Sequence, residues 1–247
     1  MIRRSICLTG STTCNKKQSS SLPGSAVLWA RSFTIAALLL FGTTPVLQAS
    51  DVRFEGIIRN PTVIYQKAFG VDTTPEIWNR VLDNLYLMGR LWGIYRFQPA
   101  YQVTRTDSGI QVVDPAGIAG DVRQVGRSDL SRRFYGRGRF NHWAVPSFFT
   151  VDGVIMFDCT AEGNGLLGEV KVFMQGNNWL SKVAMKLFSG TLIRHIDNRF
   201  TNNMDNMRKI IRDIVDEPDK VRNSLAGPLQ DDFNEAFPVT EIKPAEE

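Results

Sequence analysis

Apolar positions recur at steps of three and four from residue 178 to residue 216, the longest helical pattern in the chain. Trp179, Leu180, Val183, Ala184, Leu187 and Phe188 begin the stripe. Leu192, Ile196, Phe200, Met204, Met207, Ile211 and Ile214 continue it. Lys182, Lys186, Arg194, Asp197, Arg199, Asn203 and Arg208 fall between them and predict a solvated face. Unbroken, the helix would extend roughly 58 Å at about 1.5 Å per residue. Gly190 predicts a bend that divides it into two pieces. A rod this long and polar on one side needs a large, concave apolar partner.

Upstream the period changes. Residues 61–70 alternate through Val63, Tyr65 and Phe69 and predict a strand. Thr73-Thr74-Pro75-Glu76 is a helix entry, with a threonine cap, proline in the first turn and an acid at the positive end of the dipole. The helix it opens runs through Trp78, Val81, Leu85 and Leu91, is expected to bend at Gly89 and Gly93, and is stopped by Pro99. Period two then takes over. Residues 101–106 and 110–114 flank the turn Asp107-Ser108-Gly109, and residues 120–126 and 131–140 supply two further strands. Residues 144–151 and 154–161 read as a hairpin turning at Asp152-Gly153, and Gly163-Asn164-Gly165 turns into a last strand ending near Gln175. Seven or eight consecutive strands with short turns predict a largely antiparallel meander.

Alternation sorts the strand side chains by face. Ile155, Phe157 and Cys159 oppose Asp158, while Val170, Val172 and Met174 oppose Glu169 and Lys171. Phe134, Gly136, Gly138 and Phe140 oppose Arg133, Tyr135, Arg137 and Arg139. Gly136 and Gly138 remove two side chains from the inner face. That loss either curves the sheet or leaves room between sheet and helix.

The formal charge of +4 gives a misleading picture. Five of the 29 Lys and Arg residues lie in residues 1–50, which hold no acid, leaving 24 against 25 acids in the remainder. Nucleic-acid binding on overall charge is therefore not supported. Residues 1–49 read as an export signal: Arg31 precedes the apolar run 33–41, and Ala49 offers a cleavage site. The expected location is periplasmic or secreted, or membrane-anchored if the segment is retained. Cys7 and Cys14 would leave with the leader, and Cys159 alone forms no internal disulfide. The expected organisation is a signal at 1–49, a lead-in at 50–60, one domain at 61–216 and an acidic, mobile tail at 217–247.

The entry Gly70-Val71-Asp72-Thr73-Thr74-Pro75-Glu76-Ile77-Trp78, and the strand 165–175 running into Asn178-Trp179-Leu180, resemble the first strand-to-helix junction and the grip helix of the START/Bet v 1-like superfamily. This superfamily is also called SRPBCC, or polyketide cyclase-like. The resemblance covers about residues 61–216. It implies an α+β helix-grip fold: a curved antiparallel sheet of about seven strands wrapped round a long C-terminal helix, with an apolar cavity between them. Two features depart from the family pattern, the length of the helix and the export signal.

On that fold, the side chains expected at the cavity are Trp78, Tyr101, Phe134, Phe149, Phe157, Val172, Met174, Trp179, Val183 and Leu187. The expected function is an exported binding or transport protein that holds a lipid or sterol-like molecule. The alternatives are a cyclase or dehydratase on the same fold, or a ligand-free interaction module at a membrane complex. Catalytic candidates are limited to His195 and His142, without a paired Cys or carboxylate at metal-binding spacing, and neither a metal nor a cofactor is expected. Arg127, Arg132, Arg133, Arg137 and Arg139 form the one dense basic patch. Through Arg132, Arg133, Arg137 and Arg139 the chain could meet a membrane surface or transport complex, or the row could simply be a solvated strand face.

Overall fold

The computed structural model describes residues 49–115, 117–140 and 149–238. Helix α1 (Ala49–Arg59) precedes strand β1 (Val63–Val71). A broken helix, α2 (Pro75–Asp83) and α3 (Leu85–Ile94), leads into six strands: β2 (Gln102–Thr106), β3 (Gly109–Asp114), β4 (Ile118–Arg127), β5 (Ser131–Phe140), β6 (Thr150–Glu162) and β7 (Gly165–Gly176). Helices α4 (Trp179–Leu187), α5 (Ser189–Asp216), α6 (Pro218–Asn223) and α7 (Pro228–Ala236) follow. The seven strands form one antiparallel, curved and unclosed sheet in the order β1-β7-β6-β5-β4-β3-β2, and the long α5 packs against it. The α+β architecture expected from the sequence is present.

Strand β6 departs from expectation. Asp152-Gly153 is no turn but lies inside the strand, paired with Arg137 and Gly136 on one side and with Gln175 and Met174 on the other. Its carboxylate is claimed by three partners: Arg137 at 2.8 Å, Asn177 at 3.3 Å and Arg53 of α1. An Asp whose oxygens are held across strands has no need of the turn geometry that Asp-Gly otherwise favours. Residues 144–148 of the expected hairpin lie outside the described residues. The true β6–β7 turn passes through Gly163 at φ +57°, a left-handed conformation that glycine adopts without strain.

Helix breaks also move. The first pair separates at Asn84, whose side chain donates to the Arg80 carbonyl at 2.8 Å. Gly89 serves contact instead: a Cβ there would sit 2.5 Å from Val103 Cγ2. The long C-terminal helix breaks at Phe188 (φ −103°, ψ 14°), two residues before Gly190.

Helices cover the inner face of the sheet and part of the outer one. On the inner face Phe69 centres an aromatic cluster, 5.6 Å from Trp78, 6.1 Å from Phe157 and 5.9 Å from Phe200. Residues 50–60, expected as an unassigned lead-in, form α1 and bury Phe54 and Ile57 against Val154 on the outer face. Phe173 faces outward into this cluster.

The expectation of a mobile tail is corrected over 217–238. Val221, Leu225, Phe233 and Phe237 are buried in the main core, and Arg80 Nη1 donates to the Ala236 carbonyl at 2.9 Å. Acidic composition concealed a Val-Leu-Phe-Phe set spaced to bury one side of a helical pair. Phe233→Ala should therefore destabilise the protein by about 3–5 kcal/mol in urea unfolding, as expected for a buried aromatic rather than a loose tail.

Burial pushes the Asp152 carboxyl up, but the hydrogen bonds from Arg137 and Asn177 and the charges of Arg137 and Arg53 outweigh it and hold it below its ordinary value. A depressed carboxylate contributes stability that is present above its unfolded pKa and is lost as pH falls toward the folded value. Asp152→Asn should cost about 2 kcal/mol near neutrality. It should also flatten the acid limb of stability against pH, measured by denaturation at stepped pH.

Candidate functional site

The position of α5 over the sheet is set by polar bonds. Tyr65 donates to Asp197 Oδ1 at 2.9 Å, and Lys67 Nζ reaches Asp197 and Thr201, each at 2.7 Å. Arg208 donates twice to the Gly70 carbonyl, at 3.0 and 2.8 Å, and Arg199 pairs with Asp114 of β3 at 3.1 Å. Tyr95 Oη donates to Asp213 at 2.8 Å. The face expected to be solvated is thus partly a row of tethers. Sequence periodicity cannot separate a polar residue in water from one bonded to a neighbouring strand.

Beneath the C-terminal part of α5 the space is filled by the aromatic cluster and by Met204, Ile211 and Ile214. Toward its N-terminal end the helix stands over a cavity of about 610 Å³. Its floor is the inner face of β4, β5 and β6. Its walls include Phe149, Ile155, Val172 and Met174, and its roof is Ala184, Met185, Phe188, Leu192 and His195. The volume lies within the roughly 300–1,000 Å³ usual for small-molecule sites.

Four glycines make the floor. Gly120 faces Gly138, and Gly136 faces both Val122 and Gly153, so the bare positions are contiguous across three strands. A Cβ added at Gly138 would meet only the Val151 carbonyl oxygen at 3.9 Å, and one at Gly153 only the Phe173 carbonyl oxygen at 3.6 Å. At Gly136 the nearest atoms lie at 3.5 and 3.7 Å, ordinary contact distances. Neither close packing nor a positive φ requires glycine at these positions. Other glycines of the fold differ. Phe69 packs directly over Gly168, and Gly176 lets the end of β7 approach α4, where a Cβ would fall 2.6 Å from the Lys182 nitrogen. Glycine weakens a strand, so four of them with free space above exchange sheet stability for volume.

The residues expected at the cavity divide into three groups. Phe149, Val172 and Met174 line it. Trp78, Phe134 and Phe157 belong to the filled core, and Tyr101 lies 5.5 Å from Trp92 with its hydroxyl bonded to Asn203. Trp179, Val183 and Leu187 are on the outside of α4, with Trp179 74% and Leu187 75% exposed. Helix α4 is apolar on both sides, and its amphipathic pattern alone could not identify the inner one. The side turned inward carries Ser181, Ala184 and Met185. The signal that could have found the floor was the recurrence of glycine at inward positions of neighbouring strands, of which only Gly136 and Gly138 were recognised.

His195 lines the cavity, whereas His142 lies outside the described residues. Asp121 is the carboxylate among the described lining residues, and it accepts from Gln111 at 3.2 Å on the opposite face of the sheet. Among the described residues no group of three or more His, Cys, Asp and Glu side chains is arranged to hold a metal. Burial pushes the Cys159 thiol up to about 11, so at neutral pH it is protonated and packs as a small apolar group.

The basic patch is also divided. Arg132 is fully buried, bonded to Asp83 at 2.6 Å, which corrects its assignment to a partner surface. Arg127 shares Asp83 at 3.4 Å, and Arg137 holds Asp152. Arg133 and Arg139 are exposed on the outer face, and Arg137, also exposed, reaches the rim of the cavity. Among the described residues no helix is long and apolar enough to cross a membrane.

No protein-family model matches the sequence, and no curated protein matches it. Solved structures resemble it at low identity. A conserved protein from Geobacillus kaustophilus is 10% identical, with 62% of this chain and 97% of its own covered at a TM-score of 0.43. A protein from Arthrobacter aurescens is 8% identical, with 62% and 87% covered at a TM-score of 0.44. Ara h 8.0201 is 10% identical, with 55% and 95% covered at a TM-score of 0.32. At these identities and scores the likenesses assign this chain neither a family nor an activity.

Gly138→Ala and Gly153→Ala should each leave the protein unchanged or stabilise it by up to about 1 kcal/mol in thermal unfolding, because their methyl groups enter free space. Gly168→Ala, which must displace the Phe69 ring, should destabilise it. Equal losses at all three positions would mean that the floor glycines serve packing or curvature.

Proposed function

We propose that the protein is an exported, helix-grip binding protein that carries an apolar ligand, a lipid or sterol-like molecule, in the cavity between the sheet and helices α4 and α5. The observation that carries this reading is the contiguous glycine floor beneath an apolar roof. Removing four side chains from the middle of a sheet has an energetic cost, and a bound molecule restores the missing contacts by displacing water from apolar walls. His195 and Thr191 give the lining a polar edge that suits a single hydroxyl or carboxyl group on an otherwise apolar ligand. Export is supported by the charge and hydropathy pattern of residues 1–49. The cavity, rather than the likeness to solved structures, carries the proposal.

Organic extraction of purified protein followed by mass spectrometry should release a bound apolar molecule. The emptied protein should then bind a naphthylamine dye saturably at one site. Gly138→Leu and Gly153→Leu should weaken the dye at least roughly ten-fold by filling the floor, while the circular dichroism spectrum is retained. An empty extract together with non-saturable dye binding would sink the reading.

A further inference from the structure

Six large apolar side chains are exposed on one short stretch. Trp179 is 74%, Leu187 75% and Phe188 66% exposed, and Leu180, Val183 and Ile193 join them. Trp179, Val183 and Leu187 follow one another at steps of four and so form a continuous ridge on α4. A contiguous exposed patch of this kind on a folded chain marks an interaction surface.

The charge around the ridge selects its partner. From Gly176 to Ile196 the sequence contains Lys182, Lys186 and Arg194 and not one Asp or Glu. The described part of the chain is otherwise close to balanced overall, with a second concentration of arginine on β4 and β5. The basic segment 1–50, with five cations and no acid, does not complement it in charge.

We propose that α4 and the first turns of α5 dock on the interface of an anionic phospholipid bilayer. Trp179, Val183, Leu187 and Phe188 enter the headgroup boundary, and Lys182, Lys186 and Arg194 meet phosphate. An amphipathic helix with an aromatic end and lysines along its border is the pattern of a segment that lies in the membrane plane rather than crossing it. Phe188 is both exposed and part of the cavity lining, and Ala184 and Met185 on the inner side of α4 form its roof. Docking therefore places the cavity wall against the bilayer. The inference deepens the proposed function and rests on it only for what passes between bilayer and cavity.

The test is co-sedimentation of the full chain with vesicles of equal parts phosphatidylglycerol and phosphatidylcholine, compared with vesicles of phosphatidylcholine alone. The protein should sediment with the anionic vesicles and be released by high salt. Lys182→Glu/Lys186→Glu and Trp179→Ser/Leu187→Ser should each weaken binding at least roughly ten-fold, and Arg133→Glu/Arg139→Glu should not. All substituted side chains are exposed, and matched thermal unfolding confirms that each variant is folded. Undiminished binding by both α4 variants would overturn the proposal and assign any membrane affinity to another segment. So would a stable dimer that dissociates in the Trp179→Ser/Leu187→Ser variant, which would identify a second copy as the occupant. The dye assay separates the two readings: Gly138→Leu should weaken dye binding at least roughly ten-fold and leave sedimentation unchanged.

Discussion

The attachment of α5 to β1 governs the architecture. Asp197 receives Tyr65 and Lys67, and about three turns farther on Arg208 caps the Gly70 carbonyl. These bonds seat a 28-residue helix on an edge strand at a fixed distance from the sheet. With that spacing held, the size of the side chains between helix and sheet decides whether the interior is solid or hollow. Phe69, Trp78, Phe157 and Phe200 fill one end. Four glycines leave the other open.

The hollow end is therefore not a packing failure. Interiors pack near crystal density, and the remedy for an unwanted void is a larger side chain. Gly138 and Gly153 could accept one without touching anything but a carbonyl oxygen at contact distance. Gly168 and Gly176 could not, since Phe69 and α4 occupy the space a side chain would need. The same residue type thus has opposite physical meanings at neighbouring sites of one sheet. Only the three-dimensional surroundings distinguish volume kept free from volume already taken.

Much of the fold was legible because its signals are periodic. The period-two run between residues 101 and 175 placed five of the seven strands and divided a sixth, β6, in two, and the alternation in 131–140 put Phe134 inside and Arg133 outside, as the register has them. The failures came where one residue type serves two environments. Asp152-Gly153 carries turn chemistry, yet cross-strand arginines hold Asp152 inside a strand. Asp197, Arg199 and Arg208 read as a wet face, yet each bonds to the sheet. The acidic segment after Asp216 hid Phe233 and Phe237, which are wholly buried. Of the ten expected cavity residues, Phe149, Val172 and Met174 line it, because strand parity fixes which face a residue occupies but not how far along the interior the aromatic filling extends.

Helix α4 shows the limit of that reasoning. A core-facing helix ordinarily has one apolar stripe, and the densest stripe is taken as the buried one. Here the larger apolar residues, Trp179 and Leu187, are outside, while the smaller Ser181 and Ala184, with Met185, turn inward, Ala184 and Met185 onto the cavity. The inversion follows from what each side must do. Gly176 lets α4 approach the sheet so closely that large inward side chains near its start would find no room. Bulk is left for the outer side, where three cations and no acid surround it. A single nine-residue helix thus has an inner face shaped by its close approach to the sheet and an outer face whose composition suits a lipid interface.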